Sequence, residues 1–261
     1  MTDALDRPLP ASDDPWSVLR SATRARVALG RAGDALPTAR ELEFRAAHAA
    51  ARDAVHQPLD PDLVRAALDS ALGSTALGPA LESLEVHSAA PDRATYLQRP
   101  DLGRELAAGT SLPRADADLA VVIADGLSPR AVHEHAAGLV TALLERLPGW
   151  SVAPLVLASQ ARVALGDAVG EALGVRAVVV LIGERPGLSS ADSLGVYLTW
   201  APRVGRADSE RNCVSNVRPP HGLSYPQAAD TVAALLGAAR ELGASGVVLK
   251  DEGPALPAGA G

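Results

Sequence analysis

The sequence feature that most constrains the fold is an unbroken apolar run, Val178-Val179-Val180-Leu181-Ile182, followed at once by Gly183-Glu184-Arg185-Pro186-Gly187. The run is rich in β-branched residues, too short to favour a helix, and ended by glycine and proline. It therefore predicts a strand that is buried on both faces. In an open parallel sheet, ligands bind beyond the carboxyl ends of the strands. We therefore expect a central strand to deliver Glu184 and Arg185 to a ligand crevice.

Composition narrows the classes of protein to which this chain belongs. Its 261 residues are 48% apolar, which is ample for a hydrophobic core, and its net charge of -7 argues against nucleic-acid binding and against attraction to anionic lipid. The single cysteine excludes an intrachain disulfide and a multi-cysteine zinc site. No apolar run approaches the roughly 20 residues that span a bilayer, and the acidic N-terminus lacks the apolar centre of a secretory signal. We expect a protein of the cell interior without a nucleic-acid or membrane partner.

Helical and strand patterns divide the chain into two regions. Residues 1–75 show a polar tail and helical patterns near 15–28, 38–56 and 61–73, where Pro37-Thr38 and Asp60-Pro61 are start signals. Residues 76–261 alternate strand and helix patterns. The predicted strands are 84–87, 118–126, 152–157, 178–182, 194–200 and 247–249, and the predicted helices are 129–147, 165–173 and 224–242. This pattern predicts an α/β domain with a mostly parallel, Rossmann-like sheet flanked by helices, preceded by a smaller helical region. Residues 201–223 and the proline-containing stretch after 87 are interpreted as loops.

Three common motifs are absent, and one apparent cluster is misleading. The dinucleotide fingerprint Gly-x-Gly-x-x-Gly, the phosphate-binding Gly-x-x-x-x-Gly-Lys-[Ser/Thr] and the Gly-x-Ser-x-Gly elbow do not occur. His133-Glu134-His135 suggests a metal cluster, but residues two apart on a helix face different directions, so a helix surface is favoured. The same stretch imitates Asp-x-His-x-x-Gly, a cobalamin-binding motif, with His133 in place of the aspartate. Because it falls on a predicted helix, we interpret it as a coincidence.

Three further positions have both a functional and a structural interpretation. Asp125-Gly126-Leu127-Ser128 joins a strand to a helix N-terminus, which suits an anion or ligand, although helix capping by Ser128, with Asp125 in a turn, is the favoured explanation. Cys213 is either a small buried apolar residue or a nucleophile, for which His221 is the nearest base in sequence. Glu184 is either an exposed carboxylate without a ligand or part of a rigid binding loop.

Several motifs together resemble one family, the light (small) subunit of ethanolamine ammonia-lyase. The central motif is Gly183-Glu184-Arg185-Pro186-Gly187-Leu188-Ser189-Ser190, and Arg211-Asn212-Cys213-Val214-Ser215-Asn216-Val217-Arg218 is the second. The remaining segments that fit the family are 25–33, 122–128, 192–194 and 202–205. Their order and spacing agree from about residue 20 to residue 251, so the resemblance covers nearly the whole chain.

The resemblance implies an adenosylcobalamin-dependent enzyme that converts ethanolamine into acetaldehyde and ammonia by a radical mechanism. The substrate site is then expected on the large subunit, in a barrel-type domain, and the small subunit helps to enclose the cofactor at the interface. By motif, the cobalamin contacts fall on Val163, Glu184 and Cys213, and no residue of this chain is expected to be catalytic or to ligate a metal. The cofactor is expected base-on, with its own dimethylbenzimidazole on cobalt, which agrees with the absence of Asp-x-His-x-x-Gly.

The expected partner is the large subunit, in a hetero-oligomer with several copies of each chain. Arg24, Arg26, Arg31 and Arg40 of the helical region suit docking on that subunit, and a solvated basic face is an equal alternative. The complex is expected in the cytoplasm, either free or within a bacterial microcompartment. Two other functions remain open from sequence: a purely structural partner subunit, and a stand-alone nucleotide-binding α/β domain, which the missing glycine fingerprint disfavours.

Overall fold

The computed structural model describes residues 16–73 and 82–249. Three helices form its first part: α1 (Ser17–Ala22), α2 (Thr38–His56) and α3 (Pro61–Gly73). The ranges of α2 and α3 confirm the predicted ones, and α3 begins on Pro61 because proline at the first helical position loses no hydrogen bond. The predicted tail before residue 16 and the predicted boundary at residue 75 lie outside the described residues.

A six-stranded sheet forms the centre of the second part. Its strands are β1 (Ser83–His87), β2 (Leu119–Ala124), β3 (Leu155–Ser159), β4 (Ala177–Gly183), β5 (Leu194–Trp200) and β6 (Arg211–Val217). The spatial order is β1-β3-β2-β4-β5-β6. The first four strands in this order are mutually parallel, and β5 runs antiparallel to both of its neighbours, β4 and β6. The predicted α/β class and mostly parallel sheet are therefore confirmed, with β5 as the one reversed strand.

Helices cover both faces of the sheet. The helices of the second part are α4 (Arg93–Gln98), α5 (Pro129–Glu145), α6 (Leu165–Leu173) and α7 (Tyr225–Leu242). α3, α5 and α7 pack on one face of the sheet and α6 on the other. Alternate residues of a strand point to opposite faces. In β2, the side chains of Leu119, Val121 and Ile123 face one side of the sheet and pack with α3, α5 and α7. The side chains of Ala120, Val122 and Ala124 face the other side and pack with α6. Every residue of β4 is buried, which confirms the two-sided burial that its apolar run predicts.

The first helix is shorter than predicted. The predicted helix over 15–28 is wrong beyond Ala22, because Thr23 adopts extended backbone with φ −143° and ψ 147°. The Thr23 hydroxyl accepts a hydrogen bond from the amide of Ala25 at 3.1 Å. Such local bonds compete with helical hydrogen bonding. No residue of α1 is buried, so core packing does not stabilise a longer helix.

Helix α4 occupies part of the proline-containing stretch that was predicted to be irregular. Asp92 begins it by accepting a hydrogen bond from the amide of Thr95 at 2.7 Å. Aspartate is a strong N-cap residue, so Pro91-Asp92 was an available signal for this helix. The helix buries Tyr96 completely and thereby brings that ring to the edge of the sheet.

Two strand predictions need correction at the sheet's edges. The predicted loop over 201–223 contains β6, whose buried positions are Arg211, Val214 and Val217. A buried arginine and a register shift opposite β5 hide the alternation from a sequence pattern. The predicted strand over 247–249 is wrong, because Gly246 (φ +87°) begins a turn there. The side-chain amide of Asn212 donates hydrogen bonds to the carbonyls of Gly246 and Leu249, at 3.2 and 2.9 Å, and so holds this turn in place.

Strand β3 begins at Leu155, three positions after the predicted start. Pro154 has no N–H group for the sheet, and Val152 forms only an isolated bridge with Leu119. The strand continues to Ser159, which places the following loop, 160–164, at the carboxyl edge of the sheet. Within the described part of the chain, no helix is long and apolar enough to cross a membrane.

Candidate functional site

A cavity of about 640 Å³ opens at the carboxyl ends of β2, β3 and β4. β2 lies between β3 and β4, so the connections that leave β2 and β3 run to opposite sides. Open α/β sheets bind ligands at this kind of reversal in strand order. The cavity is lined by Tyr96, Pro100, Arg104, Gly126, Leu127, Arg162, Val163, Ala164, Ile182, Gly183, Glu184, Arg185, Tyr197, Asp208, Arg211 and Cys213.

The three residues that the sequence singled out as cofactor contacts all line this cavity. Val163 lies in the loop between β3 and α6, Glu184 follows β4, and Cys213 lies on β6. Only the folded sheet brings these three elements together. Arg185 lines the same cavity, so the structure also confirms that β4 delivers Glu184 and Arg185 to a crevice at the strand ends.

Two glycines allow the loops after β2 and β4 to touch. A Cβ atom on Gly126, which has φ +54°, would lie 2.2 Å from the carbonyl oxygen of Gly183. A Cβ atom on Gly183 would lie 2.1 Å from the carbonyl oxygen of Ser128. The amide of Leu127 donates to the Gly183 carbonyl at 2.9 Å. Glycine is therefore required at both positions, and the floor of the cavity is a fixed backbone junction.

Glu184 is held in place by hydrogen bonds on both carboxylate oxygens. The hydroxyl of Ser215 donates to Oε1, the hydroxyl of Ser193 donates to Oε2, and the amide of Asn216 donates to Oε2 at 3.3 Å. The Glu184 amide in turn donates to the Ser193 carbonyl at 2.9 Å. A carboxylate bound in this way is a rigid acceptor at the cavity wall, and Oε1, which accepts only one of these bonds, can accept another.

Cys213 is exposed at the cavity wall, so the interpretation of this residue as buried is wrong. It lies opposite Tyr197 in the antiparallel pairing of β5 and β6. Partial desolvation raises the pKa of its thiol, and the nearby Glu184 carboxylate raises it further. Desolvation also raises the pKa of Tyr197 to about 12. Both groups are therefore neutral near pH 7, and Cys213 lacks the thiolate character of a nucleophile.

Val163 sits at the turn that leads into α6. Its carbonyl accepts a hydrogen bond from the amide of Gly166 at 3.0 Å, and its side chain packs against the core on the α6 face. A Cβ atom on Gly166 would lie 2.3 Å from Val180 of β4, so this turn packs directly on the central strand. Val163 thus presents a half-buried apolar surface to the cavity from a firmly packed base.

Asp125 and Ser128 organise the loops around the cavity. Ser128 caps α5 by accepting from the amide of Ala131 at 3.2 Å, which confirms the capping interpretation. Asp125 is 1% exposed and accepts from the amides of Gln160 and Ala161, both at 2.9 Å. These bonds tie the loop after β2 to the loop after β3, so Asp125 is a structural residue beneath the site.

Tyr96 and Arg162 are site residues that the sequence patterns did not identify. Tyr96 donates from its hydroxyl to the Ala161 carbonyl at 2.9 Å, and the Arg162 guanidinium lies 4.5 Å from the centre of its ring. Burial raises the pKa of the Tyr96 phenol, which stays neutral. The Nε atom of Arg162 is buried without a hydrogen-bond partner among the described residues. The N-cap signal at Asp92 was the only local sign of this arrangement.

The His133-Glu134-His135 stretch lies on α5, and its two histidines do face different neighbours. His133 Nε2 accepts from the amide of Asp60 at 3.0 Å, which joins α5 to the start of α3, and burial lowers the pKa of its imidazole. His135 is buried against Tyr225, with 2.9 Å between Nδ1 and the hydroxyl, so its assignment to the helix surface is wrong.

Glu134, His135 and Asp192 each place one potential metal-ligand atom within 4.8 Å of the others. Arg130 already binds Glu134 at 2.7 Å, and Arg218 donates twice to one oxygen of Asp192. The first pair lies within α5, and the second joins the 184–193 loop to the segment after β6. His135 Nε2 lies 3.7 Å from Asp192 Oδ2, which brings the same loop next to α5.

Comparison with known proteins places the whole chain in one family. The family model described as ethanolamine ammonia-lyase light chain matches residues 13–250. The ethanolamine ammonia-lyase small subunit of Rhodococcus erythropolis is 53% identical, covering 91% of this chain and 90% of that protein. The corresponding subunit of Ralstonia nicotianae is 52% identical over 99% of this chain and 97% of its own length. That of Azotobacter vinelandii is 54% identical, with coverage of 93% and 90%.

The matched range includes every element from β1 to α7, and the motifs that carried the resemblance therefore lie within it. Identities near one half over almost the full length of both chains are far beyond a similarity of fold alone. The chain belongs to the ethanolamine ammonia-lyase small (light) subunit family.

Proposed function

We propose that this chain is the small subunit of an adenosylcobalamin-dependent ethanolamine ammonia-lyase and that its cavity forms one wall of the cobalamin site. The observation that supports this proposal is the convergence of Val163, Glu184 and Cys213 on a single cavity at the switch point of the sheet. Rossmann-like sheets bind their ligands at the same place, although in this sheet one strand, β5, runs antiparallel to the others.

The residues present fit the chemistry of a corrinoid. A corrin has apolar faces and a rim of neutral amides, so a receptor needs apolar contact and a few fixed acceptors and donors. Val163 and Leu127 offer apolar surface, Glu184 offers acceptor oxygens, and Arg162 offers a buried N–H that has no protein partner in the described residues. The cavity, at about 640 Å³, has the size of a site for a drug-sized ligand. A cobalamin is several times larger, so the cavity suits only part of it.

In this enzyme class the bound coenzyme supplies the homolysis of a cobalt–carbon bond, which begins the radical conversion of ethanolamine into acetaldehyde and ammonia. The role proposed for this chain is binding and orientation. Glu184, fixed by two hydroxyls and an amide, accepts from an amide on the rim. Cys213 and Val163 supply small and apolar contacts that exclude water. The base-on form of the cofactor is part of this proposal.

The partner in this proposal is the large subunit, which supplies the other half of the site. The first two helices suit such docking, since α1 has no buried residue and α2 has one, Ala54. Their exposed apolar side chains include Trp16, Leu42 and Phe44. The Arg26 guanidinium donates to the Leu188 carbonyl at 3.3 Å, so the segment after α1 reaches the 184–193 loop. A hetero-oligomer with several copies of each chain, in the cytoplasm or in a microcompartment, completes the proposal.

Reconstitution tests the proposed function. The small subunit is co-expressed with an ethanolamine ammonia-lyase large subunit, and acetaldehyde is assayed with and without adenosylcobalamin. We expect activity that needs both chains and the coenzyme. Full activity from the large subunit alone would contradict the proposal, as would activity of the complex that does not depend on the coenzyme.

A further inference from the structure

Nearly every arginine between residues 82 and 249 is paired with a carboxylate, and the exceptions are informative. Salt bridges hold Arg93, Arg99, Arg104, Arg114, Arg130, Arg146, Arg176, Arg206, Arg211, Arg218 and Arg240. Within the described part of the chain, Arg162, Arg185 and Arg203 make no such pair. Two of these three, Arg162 and Arg185, line the same cavity. A surface that otherwise neutralises its arginines thus leaves two free at its ligand site.

The carboxylates of the cavity are already engaged by other groups. Glu184 accepts from Ser193, Ser215 and the Asn216 amide. Asp208, the other acidic lining residue, pairs with Arg104 at 3.3 Å and with Arg211 at 2.7 Å. Asp208 is thus shared by two other arginines, and the single charge of Glu184 cannot balance both Arg162 and Arg185. The lining has four arginines and two acids, so the cavity has a net positive charge that attracts an anion.

Arg162 is also held in a fixed position. Its guanidinium stacks on the buried ring of Tyr96 at 4.5 Å, and its backbone amide donates to the Gly103 carbonyl at 2.7 Å. The planar guanidinium suits an oxyanion with several acceptor oxygens, because it presents parallel N–H donors. Its Nε–H, buried without a partner in the described residues, is such a donor.

We propose that Arg162 and Arg185 form an anion subsite that binds the phosphodiester of the cobalamin nucleotide loop. This proposal rests on the proposed function, since it names which part of the cofactor faces this chain. The amides at the corrin rim are neutral, and the phosphodiester is the anionic group of the molecule. It is also the group whose oxygens match two guanidinium groups. The subsite would anchor the nucleotide side of the cofactor, while Glu184 accepts from a rim amide.

The test compares two corrinoids in the assembled complex, adenosylcobinamide phosphate and adenosylcobinamide, which differ in the phosphate. Dissociation constants are measured spectroscopically for the wild-type complex, for the double variant Arg162→Gln/Arg185→Gln, and for Arg203→Gln as the matched control outside the cavity. We expect the wild type and the control to bind the phosphate-bearing analogue at least about tenfold more tightly, as charge-assisted hydrogen bonds predict. The double variant should lose this preference while its affinity for adenosylcobinamide stays the same.

Three results would overturn the subsite. The wild-type complex could show no preference for the phosphate, or the double variant could retain it. The double variant could also lose association with the large subunit in sedimentation analysis, which would mean that the arginines bind a carboxylate of that subunit. Failure of the proposed function is a separate result, because the wild-type complex would then bind neither adenosylcobalamin nor its analogues. Thermal unfolding of each variant excludes a loss of fold as the cause.

Discussion

Helices α2 and α5 are similar in length and very different in environment. α2 has 19 residues, of which one is buried, whereas α5 has 17 residues, of which ten are buried. α5 lies on the sheet between α3 and α7, while α2 carries Leu42 and Phe44 into solvent, 59% and 43% exposed. Most of the stability of a helix in a protein comes from tertiary packing of its apolar face. The difference shows that α5 is part of the core and that α2 is not, and it supports the proposed docking of α2 on the large subunit.

The ion pairs of α2 agree with that interpretation. Arg40 binds Glu43 at 2.8 Å and Arg45 binds Glu41 at 2.6 Å, three and four residues apart on the same helix. Exposed pairs of this kind contribute roughly 0.2–0.5 kcal/mol each. They support the helix without binding it to the rest of the chain. Arg40 is thereby neutralised, which leaves the apolar side chains of α2 as the better candidates for docking.

The largest effect is expected from a substitution in the core. Leu181→Ala in β4, at a fully buried position, should lower the free energy of unfolding of the small subunit by about 3 kcal/mol, because it leaves a cavity. Leu42→Ala in α2 is the matched control and should change it by less than about 0.5 kcal/mol. Urea unfolding measures both. Equal losses for the two variants would mean that α2 is packed as firmly as the sheet.

Loss of the exposed apolar side chains of α2 should weaken assembly with the large subunit. Leu42→Ala combined with Phe44→Ala should weaken binding to the large subunit by about 2 kcal/mol, since buried apolar anchors dominate interface energies. Leu242→Ala, which alters an exposed leucine on α7, should leave the affinity unchanged. Analytical ultracentrifugation or calorimetry gives the dissociation constants. Unchanged affinity in the double variant would remove α2 from the interface.

At the cavity, Glu184→Gln should weaken cobalamin binding to the complex about tenfold, because one charge-assisted hydrogen bond is lost. The substitution keeps the size of the side chain, so the small subunit should retain its thermal stability to within about 1 kcal/mol. Glu145→Gln, at an exposed position near the end of α5, is the control. A cobalamin affinity that is equal in both variants would contradict the proposed contact.

The smallest effect concerns the single cysteine. Because desolvation and Glu184 raise the pKa of the Cys213 thiol, the thiolate forms at higher pH than in an ordinary cysteine. Alkylation by iodoacetamide should therefore reach half of its maximal rate at a pH above that of free cysteine. Cobalamin bound to the complex should slow alkylation further. An ordinary pH profile, together with no protection by cobalamin, would place the thiol away from the site.

The sequence predicted the sheet's interior better than its margins. The run around Val180 predicted β4 because a strand buried on both faces has an unbroken apolar pattern, and Ser128 predicted the start of α5 because capping is local. β6 was missed because its buried Arg211 is compensated by Asp167, a residue 44 positions away. The turn at Gly246 was missed for a similar reason, since the Asn212 side chain holds it.

The site shows the same division between local and distant information. The motif resemblance identified Val163, Glu184 and Cys213, and the fold brings these residues to one cavity. Sequence patterns did not reveal Tyr96 or the free guanidinium of Arg162, because their positions depend on a short helix packing across the strand ends. Unpaired arginines become visible only when the partners of all the other arginines are known.

Hydrogen–deuterium exchange examines both regions in one experiment. It is measured on the small subunit alone, with the large subunit, and with the large subunit plus adenosylcobalamin. We expect α2 to exchange quickly in the free subunit and to become protected when the large subunit binds, while β2 and β4 remain protected throughout. Adenosylcobalamin should then add protection at 126–127, 162–164, 183–185 and 211–217. Slow exchange of α2 in the free subunit, or no added protection of the cavity segments with cobalamin, would contradict a docking helix and a shared cofactor site.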